Sequence, residues 1–179
     1  MVDDGYELET ALRRAARAHG ANLQQARPPI EALRAAIRDY RELFKPQQSA
    51  LLRQQRGLAL QAMQALAEFR PRLVGSLVHG DGPLDAIRLM VYADTTEQLM
   101  LYMADRQMPW QATEVTLHYS GGRRARQPAL GFLAGETRVE LVVLNEQSHS
   151  DPPRDPITGG RLEMLGIDEL DALIHRSPA

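Results

Sequence analysis

The chain has 179 residues, of which 44% are hydrophobic and 25% charged, and its formal net charge is -2. This supplies enough apolar residue for a buried core; the balanced charge gives no reason to expect a nucleic acid or a membrane surface as partner. The absence of cysteine excludes disulfides, thiolate zinc sites and cysteine nucleophiles.

Charge is unevenly placed, with 11 basic and 8 acidic side chains in residues 1–70 and 10 and 15 in the rest. The opening Met-Val-Asp-Asp-Gly carries no apolar run of the signal-peptide kind, and nothing approaches the roughly 20 apolar residues that span a bilayer. A cytoplasmic protein is expected. Lys45 is the only lysine among 21 basic residues, a usage that suggests a GC-rich bacterial genome.

Residues 1–70 read as helix. Leu8, Leu12, Ala15, Ala16 and His19 recur at helical spacing up to Gly20. Pro28-Pro29 opens a second helix with a stripe of Ile30, Leu33, Ile37, Tyr40 and Phe44. Pro46 separates it from a third, about 47–69, with Leu51, Leu58, Ala62, Leu66 and Phe69 as its stripe and Ala59 and Met63 beside them. Pro71 ends it.

The period then changes. Arg72–Val78 and Ala86–Ala93 are short apolar runs rich in strand formers. Thr95–Gln107 returns to helix, with Asp94 or Thr95 as N-cap. Glu114–Tyr119 alternates as a strand, and Ala129–Ala134 and Thr137–Leu144 are joined by a hairpin-like Gly135-Glu136. A proline-containing loop spans 145–161, and Ile167–His175 closes the chain as a helix capped near Asp168. Strands cluster after helices, so the fold class is α+β: an N-terminal helical region (1–46) and an α+β domain (47–179) with a small mixed sheet and a C-terminal helix over one edge.

The most informative stretch is LVGSLVHGDGPLDAIRLMVYAD, Leu73 to Asp94. A strand ends in Gly75-Ser76, a Gly-rich turn follows, and a second strand begins about ten residues later. This resembles the signature of the DNA polymerase β-like nucleotidyltransferase superfamily over roughly residues 60–145. In that family a Gly-Ser pair approaches nucleotide phosphates. Two carboxylates at i and i+2 of the next strand share one face and hold Mg²⁺ with a third carboxylate from a later strand. The resemblance implies a phosphate or nucleotide site at Gly75, Ser76 and Arg88, and it puts Glu140 where the third carboxylate lies. It also exposes a departure: the acidic pair is replaced by Ala86 and Arg88. Alanine cannot ligate a metal, and a guanidinium repels one. Asp85 lies on the opposite strand face by parity, and Asp81 lies in the turn.

More narrowly, FRPRLVGSLVHG, VYAD, FLAG and VELVVL are similar to a small set of uncharacterised proteobacterial proteins, some labelled UDP-N-acetylmuramate–alanine ligase. That chemistry needs a Gly-Lys-Ser/Thr phosphate loop, which this sequence lacks.

Simpler readings stand beside these. Gly75-Ser76 also fits a plain strand-to-helix turn. Arg88 suits either an anion ligand or a salt bridge to Glu140 across adjacent strands, and the salt bridge is the preferred reading. His79, His118, His149 and His175 show no metal-ligand spacing. His149-Ser150-Asp151 cannot fold into a hydrolase relay. Arg123, Arg124 and Arg126 read as a solvated hairpin tip, and Trp110, Met90, Met100, Met103 and Met108 as core.

Three functions follow as expectations. The leading one is a catalytically eroded nucleotidyltransferase-fold protein that binds a nucleotide, a phosphate or a protein and regulates. The second is an active, Mg²⁺-dependent nucleotidyltransferase using Asp81 or Asp85 with Glu140. The third is an interaction protein that forms a homodimer through its N-terminal helices.

Overall fold

Proline fits the first turn of a helix because its missing N–H is unneeded there, and Pro46 opens α1 (Pro46–Ala65) instead of merely preceding it. The computed structural model describes residues 32, 34–35, 46–145, 151–156 and 158–176. The first expected helix, most of the second, and His149-Ser150 fall outside them; Ala32, Arg34 and Ala35 are helical.

After α1, Ala67–Phe69 forms a 3-10 turn capped by Arg70, which adopts the left-handed conformation (φ 45°, ψ 56°) ahead of Pro71. The chain continues through β1 (Arg72–Val74), a one-turn α2 (Ser76–His79), β2 (Ala86–Tyr92), α3 (Thr96–Asp105), β3 (Gln111–His118), β4 (Arg124–Ala134), β5 (Thr137–Leu144) and α4 (Ile167–Arg176). Thr95 caps α3, its hydroxyl accepting from the Gln98 N–H. At α4 only the glutamate half of a capping box forms: the Glu169 carboxylate accepts from the Gly166 N–H at 2.6 Å, and the helix starts at Ile167, one residue before Asp168.

The five strands form one mixed sheet in the order β1-β2-β5-β4-β3. β2 and β5 run parallel, and the other neighbours are antiparallel. β3 and β4 are longer than the sequence patterning shows. Their ladder runs from Gln111↔Gly131 to His118↔Arg124, adding exposed polar residues whose backbones pair beside buried Val115, Leu117, Ala129 and Leu130.

Alternation divides the sheet into two unlike faces. Ile87, Leu89 and Val91 of β2, with Val139, Leu141 and Val143 of β5, are buried under Ala59 and Met63 of α1, Leu66 and Phe69 of the turn after it, Leu99 and Met103 of α3, and Leu170 of α4. At about 1.5–3 kcal/mol for each large side chain removed from water, this is the principal core. Val74, Met90, Val142, Leu144, Val115 and Leu117 point the other way, covered by Leu162 and Met164 of the loop before α4. Among the described residues, α1, α3 and α4 thus cover one face, and the loop before α4 lies over the other. α4 packs on α1, while the edge strand β1 is paired at Leu73 by Leu165 just before it.

The line of α1 that faces the core differs from the expected stripe. Leu51 is 38% exposed, while Gln55 and Arg56 are buried with Ala59 and Met63. These two polar residues sit at the core-facing spacing because each has a specific partner, described next. Met90 and Met103 are fully buried, and Met100, Met108 and Trp110 pack at the core margin.

Candidate functional site

The Gly75–Ser76 turn is built around close approaches. Gly75 has φ 83° and ψ -152°, a region that essentially only glycine occupies. The Ser76 hydroxyl donates to the carbonyl of Pro83, and a Cβ on Gly82 would stand 2.8 Å from the Ser76 Cβ. The turn therefore closes on itself, with the Ser76 proton engaged inside it. Arg56 of α1 fastens it from below, its Nε donating to the Leu77 carbonyl at 2.8 Å and its Nη2 to the Val78 carbonyl at 3.1 Å. A buried guanidinium thus satisfies the carbonyls at the end of the single helical turn. Its neighbour Gln55 donates to the Thr137 hydroxyl at the start of β5.

β1 leaves the sheet next to β2 with Val74 opposite Arg88, and Arg88 lies on the same rung as Glu140 of β5. Their side chains emerge on the face opposite α1, α3 and α4. Arg88 Nε donates to Glu140 Oε2 at 2.7 Å, and Arg138 Nη2 lies 3.9 Å from Glu140 Oε1. The salt bridge across adjacent strands is therefore present. On β4 the residue opposite Glu140 is Gly131, so no side chain crowds the carboxylate from that strand.

A divalent-metal centre of the carboxylate type does not fit these residues. Ala86 offers no oxygen, Arg88 brings a cation, and the Glu140 carboxylate is bound to that cation. Among the described residues no group of three or more His, Asp or Glu side chains is arranged to hold a metal ion. Asp85 is exposed and immediately precedes β2, at the parity of core-facing Ile87.

Asp81 turns instead toward the N-terminal region. Arg34 Nε donates to Asp81 Oδ2 at 3.0 Å, and Arg34 Nη2 to Asp155 Oδ2 at 3.3 Å, with all three side chains at most 10% exposed. One guanidinium thereby joins a helix of the N-terminal region, the Gly-rich turn and the loop before α4. Asp155 also accepts from the Thr158 N–H. Periodicity and motif spacing bring neither Arg34, Arg56 nor Asp155 to notice; the only sequence signal is two polar residues, Gln55 and Arg56, among apolar positions at helical spacing.

The arginines of the hairpin tip are engaged locally. Arg123 pairs with Asp151 at 2.7 Å and lies over the Tyr119 ring at 4.2 Å, while Arg126 pairs with Glu114 at 3.4 Å. Hydrogen bonds from Arg123 and Ser120 hold the Asp151 carboxyl below its ordinary value of 3.8. His79 Nδ1 lies 3.6 Å from Glu163, and His175 3.5 Å from Asp171 on its own helix.

Fold and site together define an α+β protein with α1, α3 and α4 on one face of a five-stranded mixed sheet and an in-register arginine–glutamate pair on the other. No family model, curated protein or solved structure matches the chain. Among the described residues, no helix is long and apolar enough to cross a membrane.

Proposed function

We propose that this chain is a nucleotidyltransferase-fold protein that has lost its metal-dependent chemistry and works as a binding or regulatory module for a nucleotide phosphate or a protein. The observation that carries this reading is the Arg88–Glu140 ion pair at 2.7 Å. It stands where the resemblance puts the metal-binding carboxylates. Strand order supports the frame: a Gly-Ser turn joins antiparallel β1 and β2, and β2 runs parallel to the strand bearing Glu140. A long helix, α1, precedes the Gly-Ser strand as in that family.

In this reading a guanidinium replaces the metal as the positive charge offered to a phosphate. Arg88 is about a quarter exposed and presents a planar donor fork suited to phosphate oxygens. Metal-free binding is the consequence.

Isothermal titration of the full chain with ATP, GTP, CTP and UTP, with and without Mg²⁺, tests this. Binding that persists in chelator and weakens about tenfold in Arg88→Ala is expected. Tight binding that strictly requires Mg²⁺ would overturn the reading. So would transfer of label from an α-phosphate-labelled nucleotide to an acceptor, abolished by Glu140→Gln.

A further inference from the structure

Backbone pairing continues past the edge strand β3. His118 is paired with Arg124 of β4. On its other side it is bridged by Arg154, which is bridged in turn by Arg161. The Arg154 N–H donates to the His118 carbonyl at 2.7 Å. Arg124, His118, Arg154 and Arg161 therefore stand in one row across four adjacent segments. At about 4.8 Å for each step, the row is about 14 Å long.

Directly paired residues project to the same side of a sheet, and alternation fixes which side. Leu117 and Tyr119, flanking His118, belong to the second hydrophobic cluster, and Ala125 beside Arg124 and Leu162 beside Arg161 pack against it. The four side chains of the row consequently emerge together, away from that cluster. Arg126 follows on the same side, opposite Thr116. Arg124 and Arg161 are exposed, while His118 and Arg154 are half-buried.

Packing gives this row no structural purpose. Arg154 and Arg161 face each other in the closer, non-hydrogen-bonded kind of antiparallel pair. It lies between the bond from the Leu162 N–H to the Pro153 carbonyl at 3.0 Å and that from the Asp155 N–H to the Gly160 carbonyl at 2.9 Å. Like charges so placed repel. Among the described residues, Arg124, Arg154 and Arg161 join no ion pair. The acids near them in the chain are committed elsewhere: Glu114 to Arg126, Asp151 to Arg123, Asp155 to Arg34 and Glu163 to His79.

We propose that this row is a docking surface for the sugar–phosphate backbone of a single-stranded nucleic acid. The argument is charge complementarity: guanidinium forks set out along a line match an anion repeated along a line better than one compact anion. No aromatic ring stands in the row, and the nearby Tyr119 ring is already covered by Arg123. The contact is therefore with phosphates, without selection among bases. The formal net charge of -2 conceals the surface, because only strand pairing gathers arginines that lie far apart in the chain. The row is independent of the Arg88–Glu140 site.

Fluorescence anisotropy of a labelled oligothymidylate, titrated with the full chain across a salt series, tests the proposal. A single strand contributes a slope of about -0.7 for each neutralised phosphate, so the three arginines predict about -2 in log affinity against log salt. Arg124→Ala and Arg161→Ala should each flatten that slope by about 0.7 and weaken binding about fivefold at low salt. Arg106→Ala is the charge-matched control, since Arg106 ends α3 and leads into the far end of β3; its affinity should hold within about twofold. Arg161→Ala should also leave the Tm unchanged or raised, because it removes a repulsion. Binding that survives in both row variants, or falls equally in Arg106→Ala, would overturn the proposal. A lowered Tm in Arg161→Ala would overturn it too, by showing that the row serves the fold. Displacement of the oligonucleotide by inorganic polyphosphate, phosphate for phosphate, would overturn the assignment to nucleic acid.

Discussion

Arg88 and Glu140 occupy one rung of the parallel β2–β5 ladder, and the Nε of the first lies 2.7 Å from Oε2 of the second. Parallel register makes this pairing compulsory: once Ile87 meets Val139 and Leu89 meets Leu141 in the core, the residues between them must emerge together on the opposite face. The glutamate is the more buried partner, at 10% side-chain exposure against 27%.

That asymmetry sets the first prediction. Arg88→Ala strands a largely buried carboxylate, and the fold should lose about 2 kcal/mol. Arg88→Met combined with Glu140→Gln should recover most of the loss, because neither residue then carries an unpaired charge. Urea denaturation of the two variants decides it; an additive, larger loss in the double variant would show that the pair is not the source.

Arg34 holds two buried carboxylates at once. Arg34→Ala leaves both Asp81 and Asp155 without that partner, and a loss of about 3 kcal/mol is expected. It should also release the loop from the Gly-rich turn. Limited proteolysis near residues 155–160 is the second readout, with faster cleavage in the variant as the expected result.

Two glycines should respond with opposite signs. Gly57 lies inside α1, and a Cβ there meets nothing within 4 Å; Gly57→Ala should stabilise by about 1 kcal/mol. Gly75 is held at φ 83°, ψ -152°, and Gly75→Ala should cost about 1–3 kcal/mol. Thermal unfolding of the pair checks both. Equal behaviour would mean that the strained turn does not persist in solution.

Asp151 carries the pH prediction. Its carboxyl lies below 3.8 in the fold because Arg123 and Ser120 bond its ionised form. The stabilisation is therefore present above 3.8 and lost as pH falls through the folded value. Carbon-13 titration of the Asp151 carboxyl should give a depressed midpoint that rises in Arg123→Ala. An unchanged midpoint in the variant would remove Arg123 as the cause.

Several elements could be read from residues alone. Thr137–Leu144 and Ala86–Tyr92 announce themselves as strands by continuous β-branched and aliphatic runs, and α3 by its Thr95 cap and the Leu99/Met103 spacing. Proximity of Arg88 and Glu140 was also legible, because the resemblance lays both on neighbouring strands, where opposite charges make a salt bridge the preferred reading. The true extent of β3 and β4 was not, since their outer halves are polar and pair through backbone groups common to every residue. Gln55 and Arg56 escape notice in the sequence because hydrophobicity is blind to a buried polar group whose partners come from elsewhere in the chain.

The sequence by itself determined the α+β class and the order of its main elements from α1 onward. These are local properties, written in periodicity, capping and residue identity. Only the tertiary structure decided that Arg56 fastens the Gly75–Ser76 turn and that Arg34 bridges Asp81 and Asp155. Such contacts join residues tens of positions apart, and their free energy depends on burial that no single segment creates.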